Sequence, residues 1–419
     1  MRALFVFLLA ASPAGALSKK DGAFLEDLSR RSYRFFEENA HPLTGLVRDR
    51  ARADGSGPDA GHARVASAAS TGFGLSALCV AAERGWTPRK AARAKALATL
   101  RFLTEKAPRE HGWFYHWMDW ETGQRVWNSE LSSIDTALLM AGVLTARRCF
   151  PDSEMAALAD GLADAVDYPW MLGENPSQLS MGWYPDRGFI QSRWDTYSEG
   201  PLVYVLALAS RKHPLPPEAW RAWKRDWTDY AGIHYLHAGT ALFTHQYPQA
   251  WLDLRGRKDQ DGVDYFENSA LATRAHKAFC LDLAKEFPGY TDDLWGVTAS
   301  DGPKGYVAWG GPPRHPDIDG SVVPAAAGGS LMFAPELTLP VLKTVKERFP
   351  KVWGRYGFAD AFNPSTGWVA PDVIAIDVGI TLLSAENLRT GTIWRWFTAN
   401  PEVPAALDAA GVRRGRKSP

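Results

Sequence analysis

Three stretches of this 419-residue chain set carboxylates among aromatic rings. The first runs Gly112-Trp113-Phe114-Tyr115-His116-Trp117-Met118-Asp119-Trp120 and continues to Trp127-Asn128-Ser129-Glu130. The second joins Met181-Gly182-Trp183-Tyr184-Pro185 to Arg193-Trp194-Asp195-Thr196-Tyr197-Ser198-Glu199, and the third is Trp368-Val369-Ala370-Pro371-Asp372 followed by Asp377. A sugar offers apolar C–H faces rimmed by hydroxyls, so rings beside acids, amides and arginine are what it takes to hold a glycan. Cleaving a glycosidic bond takes two carboxyl groups, one protonated to release the leaving oxygen and one ionised to activate water or attack.

Glu130, Glu199 and Asp377 each lie at or near the start of an apolar, helix-like run, which would aim all three into one cleft. Taken singly, an acid in the first turn of a helix can simply complement the helix dipole; three of them in ring-rich loops point to catalysis. Glu199 is expected to be the general acid, its pKa raised by burial among Trp194, Tyr197 and neighbouring carboxylates, with Asp377 or Glu130 as the base. Candidate substrate contacts are Asp135, Trp113, Tyr115, Trp117, Trp183, Trp194, Tyr197, His245, Gln246, Trp251, Arg255, Trp309 and Trp368.

Other chemistries lack their residues. His234 and His237 stand three apart with no HExxH or Cys/His cluster, so no metal is expected. No G-x-S-x-G elbow, P-loop or dinucleotide fingerprint occurs in its strand-to-helix context, so no cofactor is expected. His245-Gln246-Tyr247 suits either binding and proton transfer or a hydrogen-bonded structural role.

These side chains need a scaffold, and the periodicity supplies helices. Apolar faces repeating every 3.6 residues predict helices at about 22–39, 71–84, 88–106, 130–149, 153–168, 196–210, 217–230, 268–286, 324–348 and 377–397. Pro88 marks one opening, and Thr71, Ser129 and Asn268 are candidate caps. Small or polar residues open a helix in six places: Ser70 to Gly74, Ser132 to Thr136, Tyr197 to Gly200, Asn268 to Ala270, Ala325 to Gly329, and Asp377 to Ile380. They recur at roughly the length of a helical hairpin plus loop. The pattern predicts an all-α fold, an (α/α)6 toroid with its loops lining one cleft, against the alternative of an irregular helical bundle.

Forty-seven basic residues balance forty-seven acidic ones, so no long-range field draws nucleic acid or an anionic membrane. A neutral oligo- or polysaccharide is the expected partner, bound by a monomer. Three Cys (Cys79, Cys149, Cys280) cannot complete a disulfide framework and read as buried small hydrophobes. Eighteen Trp exceed what a core alone explains. Met1-Arg2, an apolar run and the small residues Ala14-Gly15-Ala16 read as a signal peptide over 1–16, hence export to periplasm or medium. The apolar run is about half of the ~20 residues a membrane span needs, so no insertion is expected. Without a polar linker, 17–411 reads as one catalytic domain and 412–419 as a flexible tail.

Five segments also carry a resemblance: Thr244-His245-Gln246-Tyr247-Pro248-Gln249-Ala250-Trp251-Leu252-Asp253-Leu254-Arg255-Gly256, then Asp264 to Ser269, Leu294 to Pro303, and Ile376 to Ile380 with Glu386 to Gly391. Over most of the chain the sequence resembles the glucoamylase-like family that includes bacterial endo-β-1,2-glucanases. The resemblance implies an (α/α)6 toroid and glycoside hydrolysis, in the β-1,2-glucanase branch by an inverting route without metal, with Glu130, Glu199 and Asp377 as cleft acids. Pro248-Gln249 stands where many relatives carry Ser-His. Two alternatives remain open: a polysaccharide lyase using Tyr247 or His245 as base and Arg255 against a uronate, and a non-catalytic glycan-binding protein.

Overall fold

The computed structural model describes residues 17–415. The expected signal peptide, and the tail beyond residue 415, lie outside the described residues. Fourteen helices are formed among them: α1 (Lys19–Asn39), α2 (Ala68–Glu83), α3 (Arg89–Glu105), α4 (Ser133–Cys149), α5 (Ser153–Ala165), α6 (Tyr168–Met171), α7 (Gly200–Ala209), α8 (Phe243–Trp251), α9 (Tyr265–Asp282), α10 (Pro324–Gly329), α11 (Pro335–Arg348), α12 (Ala375–Thr390), α13 (Thr392–Thr398) and α14 (Glu402–Ala409). Six of them close a ring: α2 packs on α4, α4 on α7, α7 on α8, α8 on α10, α10 on α12, and α12 back on α2. Outside it, α1 lies against α2 and α12, α3 and α5 against α2 and α4, α9 against α8, and α11 against α10. This is the (α/α)6 toroid.

The inner helices are rich in small residues because the ring forces backbones together. A Cβ on Gly72 of α2 would sit 2.2 Å from the Leu138 carbonyl oxygen of α4, and one on Gly142 would sit 2.2 Å from that of Gly72. Only hydrogen at both positions permits that crossing. Being enclosed on every side, these helices have no polar stripe, as expected for fully buried helices. α2 is buried over Ala68–Ala77 without a break.

That enclosure explains where periodicity misreads the chain. α8 carries no stripe that periodicity could detect: His245 to Trp251 are all buried, polar and apolar alike, and Pro248 lies inside it. Its amide nitrogens are met by neighbours, Gln246 Nε2 donating to the Ala326 carbonyl at 2.9 Å and Gln249 Nε2 to the Tyr265 carbonyl at 2.9 Å. The fourth inner helix is therefore α8. The expected opening at Asn268 falls inside α9, an outer helix whose cap is Asp264. Likewise Ser67 and Ser132 cap α2 and α4 in place of Thr71 and Ser129.

The predicted helix over 217–230 is a 3-10 turn, Pro217–Arg221, followed by a hairpin pairing Trp227–Tyr230 with Ile233–Leu236. Ala231 and Gly232 both have positive φ, the two-residue turn that suits a twisted hairpin. The run 324–348 divides into α10 and α11 because Pro335 holds Ala334 out of the helical region. The tail is pinned at its start: Val412 is buried and Arg413–Arg414 pairs with Arg257–Lys258.

Short antiparallel ladders join the segments that lead into the inner helices. Val65–Ser67, before α2, pairs with Trp117–Asp119; Leu131–Ser132, before α4, with Gly182–Tyr184; and Asp372–Ile374, before α12, with Arg50–Arg52. These ladders fix the loops at the N-terminal rim, where the carboxylates lie.

Candidate active site

Glu130 immediately precedes the strand that enters α4, and its backbone carbonyl accepts from His116 N–H at 2.9 Å. That ladder brings the two side chains together: His116 Nδ1 lies 2.8 Å from Glu130 Oε1, and His116 Nε2 lies 3.6 Å from Asp135 Oδ1. Gly182, on the adjoining strand, has no Cβ to collide with Glu130 Cγ, which would lie 2.9 Å away. Asp135 stands in the first turn of α4, where its backbone N–H donates to Ser132 Oγ at 3.2 Å while Ser132 Oγ donates back to its carboxylate at 2.5 Å. Burial opposes the imidazolium, but Asp135 and Glu130 outweigh it and hold His116 up at about 9. Burial would raise Glu130, yet the His116 cation keeps it below its usual range. This pair is ionised at neutral pH.

Glu199 is different. It sits at the start of α7, where Gly200 and Pro201 open the helix, and its side chain makes no capping bond. Burial, then the negative charge of Asp135, push it up to about 8, with His116 pulling only partly the other way. It therefore carries a proton at neutral pH.

A second acid group enters from α12. Asp377, in its first turn, is pushed up to about 7 by burial, while hydrogen bonds from Asp360 and from the Tyr247 hydroxyl at 3.4 Å pull it the other way. Burial and the nearby carboxylates push Asp360 well up, so Asp360 holds the shared proton and donates it to Asp377. The Asp301 N–H steadies the other Asp360 oxygen, Oδ2, at 2.6 Å. Arg50 grips Asp301 with contacts of 3.0 and 3.1 Å, and Arg52 binds Asp372 at 2.9 Å. Asp49 raises His116, Asp135 and Asp377 alike, and the hydroxyls of Tyr247 and Tyr306 both feel Asp377 and Glu199. The two acid groups thus face one cleft. Such an arrangement can give a proton from Glu199 and accept one at a carboxylate across from it. Among the described residues no group of three or more His, Cys, Asp and Glu is arranged to hold a metal ion.

The aromatic candidates divide. Trp117 is half-buried, stacked on His116 at 3.6 Å, and Trp183 and Tyr115 lie on the strands flanking Glu130. Trp113, Trp251 and Trp309 are instead core residues, with Nε1 donating to Asp167 O, Ser76 Oγ and Asp317 O. Trp194 is buried and bonds Ser133 Oγ at 2.8 Å. Tyr197 and His245 pack on each other, and burial drives His245 down to about 3, so it stays neutral. Gln246 ties α8 to α10 and has no exposed surface. Trp368 is half-buried and packs against buried core residues. Arg255 is placed elsewhere: it bonds Asp253, covers Trp394 and lies 3.8 Å from the Cβ position of Gly391, beyond the C-terminus of α12. At 1.5 Å per residue that is roughly 20 Å along α12 from Asp377.

Reasoning from sequence missed His116, Asp360, Tyr306 and the Arg50–Asp301 pair. His116 had a signal, its place between Tyr115 and Trp117. Asp360, in Ala359-Asp360-Ala361-Phe362, had none.

The family described as "Putative glucoamylase" matches residues 191–401, the stretch that carries Glu199, Asp360 and Asp377. A putative glucoamylase from Bacteroides caccae is 30% identical, covers 94% of this chain and 100% of its own, and superposes with a TM-score of 0.88. The chain belongs to this glucoamylase family. An endo-β-1,2-glucanase from Chitinophaga pinensis, solved with sophorotriose and glucose, is a further similar structure, 29% identical with a TM-score of 0.87, covering 95% of this chain and 99% of its own. An exo-β-1,2-glucooligosaccharide sophorohydrolase acting at the non-reducing end, from Parabacteroides distasonis, is 26% identical over 92% of this chain. The chain spans 57% of that relative's length. Within this family fold the acids stand where the inner helices α4, α7 and α12 open.

Proposed function

We propose that the protein is a glycoside hydrolase acting on β-1,2-linked glucan or its oligosaccharides, with Glu199 as general acid and Asp377 as the base that orients water. One observation carries the reading: a carboxyl kept protonated to about pH 8 at the opening of α7 shares the N-terminal rim of the toroid with the carboxylates of α4, its neighbour, and of α12, across the ring. Environments that push two acids apart are what assign acid and base in glycosidases. Burial lifts Asp377 to about 7, hydrogen bonds from Asp360 and Tyr247 keep it from rising further, and it serves as the ionised base above that pH. Glu130, already committed to His116, holds that imidazolium beside the cleft and offers its other oxygen to sugar hydroxyls. The Chitinophaga and Parabacteroides relatives support the β-1,2 linkage. The lyase alternative lacks its cation, since Arg255 lies at the far end of the toroid.

The test is product analysis with β-1,2-glucan and its oligosaccharides. Saturated reducing sugars of inverted anomeric form are expected, and Glu199→Gln or Asp377→Asn should lower turnover about 10²- to 10⁴-fold. Unsaturated, ultraviolet-absorbing products would establish the lyase instead. Full activity in both variants would move the chemistry to other residues, and tight binding without turnover would leave a glycan-binding protein. The reading includes export of one catalytic unit, residues 17–411, as a monomer; N-terminal sequencing of the secreted chain, expected to begin at Leu17, and light scattering test it.

A further inference from the structure

Trp127 is half exposed, at 52%, which leaves a large apolar ring in water three residues before Glu130. Its backbone is also unfavourable. Trp127 and Asn128 both have left-handed φ, +52° and +50°, the one adjacent non-glycine pair of this kind among the described residues. A bulky side chain there costs about 1 kcal/mol or more, and persists only where its surroundings enforce it.

The surroundings do enforce it. Arg125 Nε donates to the Ser129 carbonyl at 2.5 Å and Arg125 Nη2 to that of Asn128 at 2.6 Å, clamping the loop just after the ring. Val126 N–H donates to the Trp117 carbonyl at 3.2 Å. The ring itself is propped edge-on by Trp117 at 5.3 Å and by His62 at 5.4 Å, and His62 is fixed by Asp59 at 2.8 Å. Both props meet it at steep angles, 66° and 84°. Trp117 in turn stacks on His116, the partner of Glu130. A chain of rings thus leads from the acid group outwards and ends on a rigid, solvent-facing indole. A loop that only needed to turn would place Gly or Asn at that φ and leave no ring in water.

We propose that Trp127 is an outer sugar subsite, on which the apolar face of a pyranose stacks beyond the residues held at Glu130 and Glu199. The proposal rests on the glycan reading above and deepens it: the cleft takes chains long enough to reach Trp127, and chain-length preference is set there. Stacking on an exposed indole supplies free energy only when a sugar arrives, and the clamped backbone removes the ordering cost at that moment.

Titration calorimetry of β-1,2-gluco-oligosaccharides of increasing length into Glu199→Gln protein tests this, alone and combined with Trp127→Ala or Trp127→Phe. Affinity should rise once the chain is long enough to reach the indole. Trp127→Ala should weaken long chains by tenfold or more relative to short ones, and Trp127→Phe should restore most of that ratio. In the otherwise native protein the ratio of kcat/KM for long over short substrates should fall in parallel. Equal weakening at every length would mean that the loop merely supports Glu130, and an unchanged ratio would mean that the ring meets no sugar; either overturns the subsite. Hydrolysis by the native chain with Trp127-independent binding rejects the subsite and keeps the hydrolase, whereas Trp127-dependent binding without hydrolysis does the reverse. Failure to bind at any length overturns both.

Discussion

Replacing Glu199 by Gln should stabilise the protein while disabling it, and the gain should depend on pH in a way that only burial of a carboxyl explains. The folded chain holds Glu199 protonated to about pH 8, against an ordinary value of 4.5. Between those two values the unfolded chain has lost a proton that the folded chain keeps, so stability falls as pH rises through this window. Below pH 4.5 both states are protonated and the residue has no effect. At about 1.4 kcal/mol per pH unit the full cost above pH 8 is roughly 5 kcal/mol, and water reaching this partly exposed side chain brings it to roughly 3 kcal/mol. Gln keeps the shape without the titration. Urea unfolding of both proteins at pH 4.5 and pH 8 should show their difference in stability widening by roughly 3 kcal/mol in favour of Glu199→Gln. A difference that stays constant across that range would mean that Glu199 is not held protonated, and the assignment of the general acid would fall with it.

The His116 cation gives the opposite test. Its pKa is raised to about 9 from 6.5, so its pairing with Glu130 and Asp135 stabilises fully below pH 6.5 and is lost as pH rises through 9. His116→Asn should therefore cost roughly 2 kcal/mol at pH 6 and little at pH 9.5 in the same unfolding assay. Asp360→Ala, which removes the donor that lowers Asp377, should move the acidic limb of the kcat/KM profile to higher pH, and Asp360→Asn should move it less; coincident profiles would refute the shared proton. Gly72→Ala should destabilise by about 1–3 kcal/mol or more, because its methyl meets the Leu138 carbonyl. Gly161→Ala, on the exposed face of α5 with nothing within 4 Å, should instead gain about 0.5–1 kcal/mol, and thermal unfolding of the two variants reads both signs.

Much of the scaffold was legible in the chain because outer helices have a wet side. α1, α3 and α5 carry the stripe that periodicity detects. α8 does not, since a helix enclosed by its neighbours can bury His245, Gln246 and Gln249 as readily as leucine, provided that each amide finds a carbonyl. The three acids were legible because each stands where a ring-rich loop meets an apolar run. Their neighbours were not. Asp360 lies between two alanines in a segment without periodicity, and only the return of the chain beside α12 sets it against Asp377.

Residue type and spacing are local properties, and they are enough to make the protein helical and to put its carboxylates and rings in shared loops. Which rings face the cleft was decided by the tertiary structure: Trp113, Trp251 and Trp309 went to the core, while Trp127 was held out in solvent by Arg125. So was the protonation of the acids. Glu130 and Glu199 have the same side chain, and the ladder that sets His116 against Glu130 keeps that carboxyl charged, whereas Glu199 meets burial and Asp135 and keeps its proton. A pKa belongs to the surroundings of a group, and those surroundings exist only once the toroid has closed.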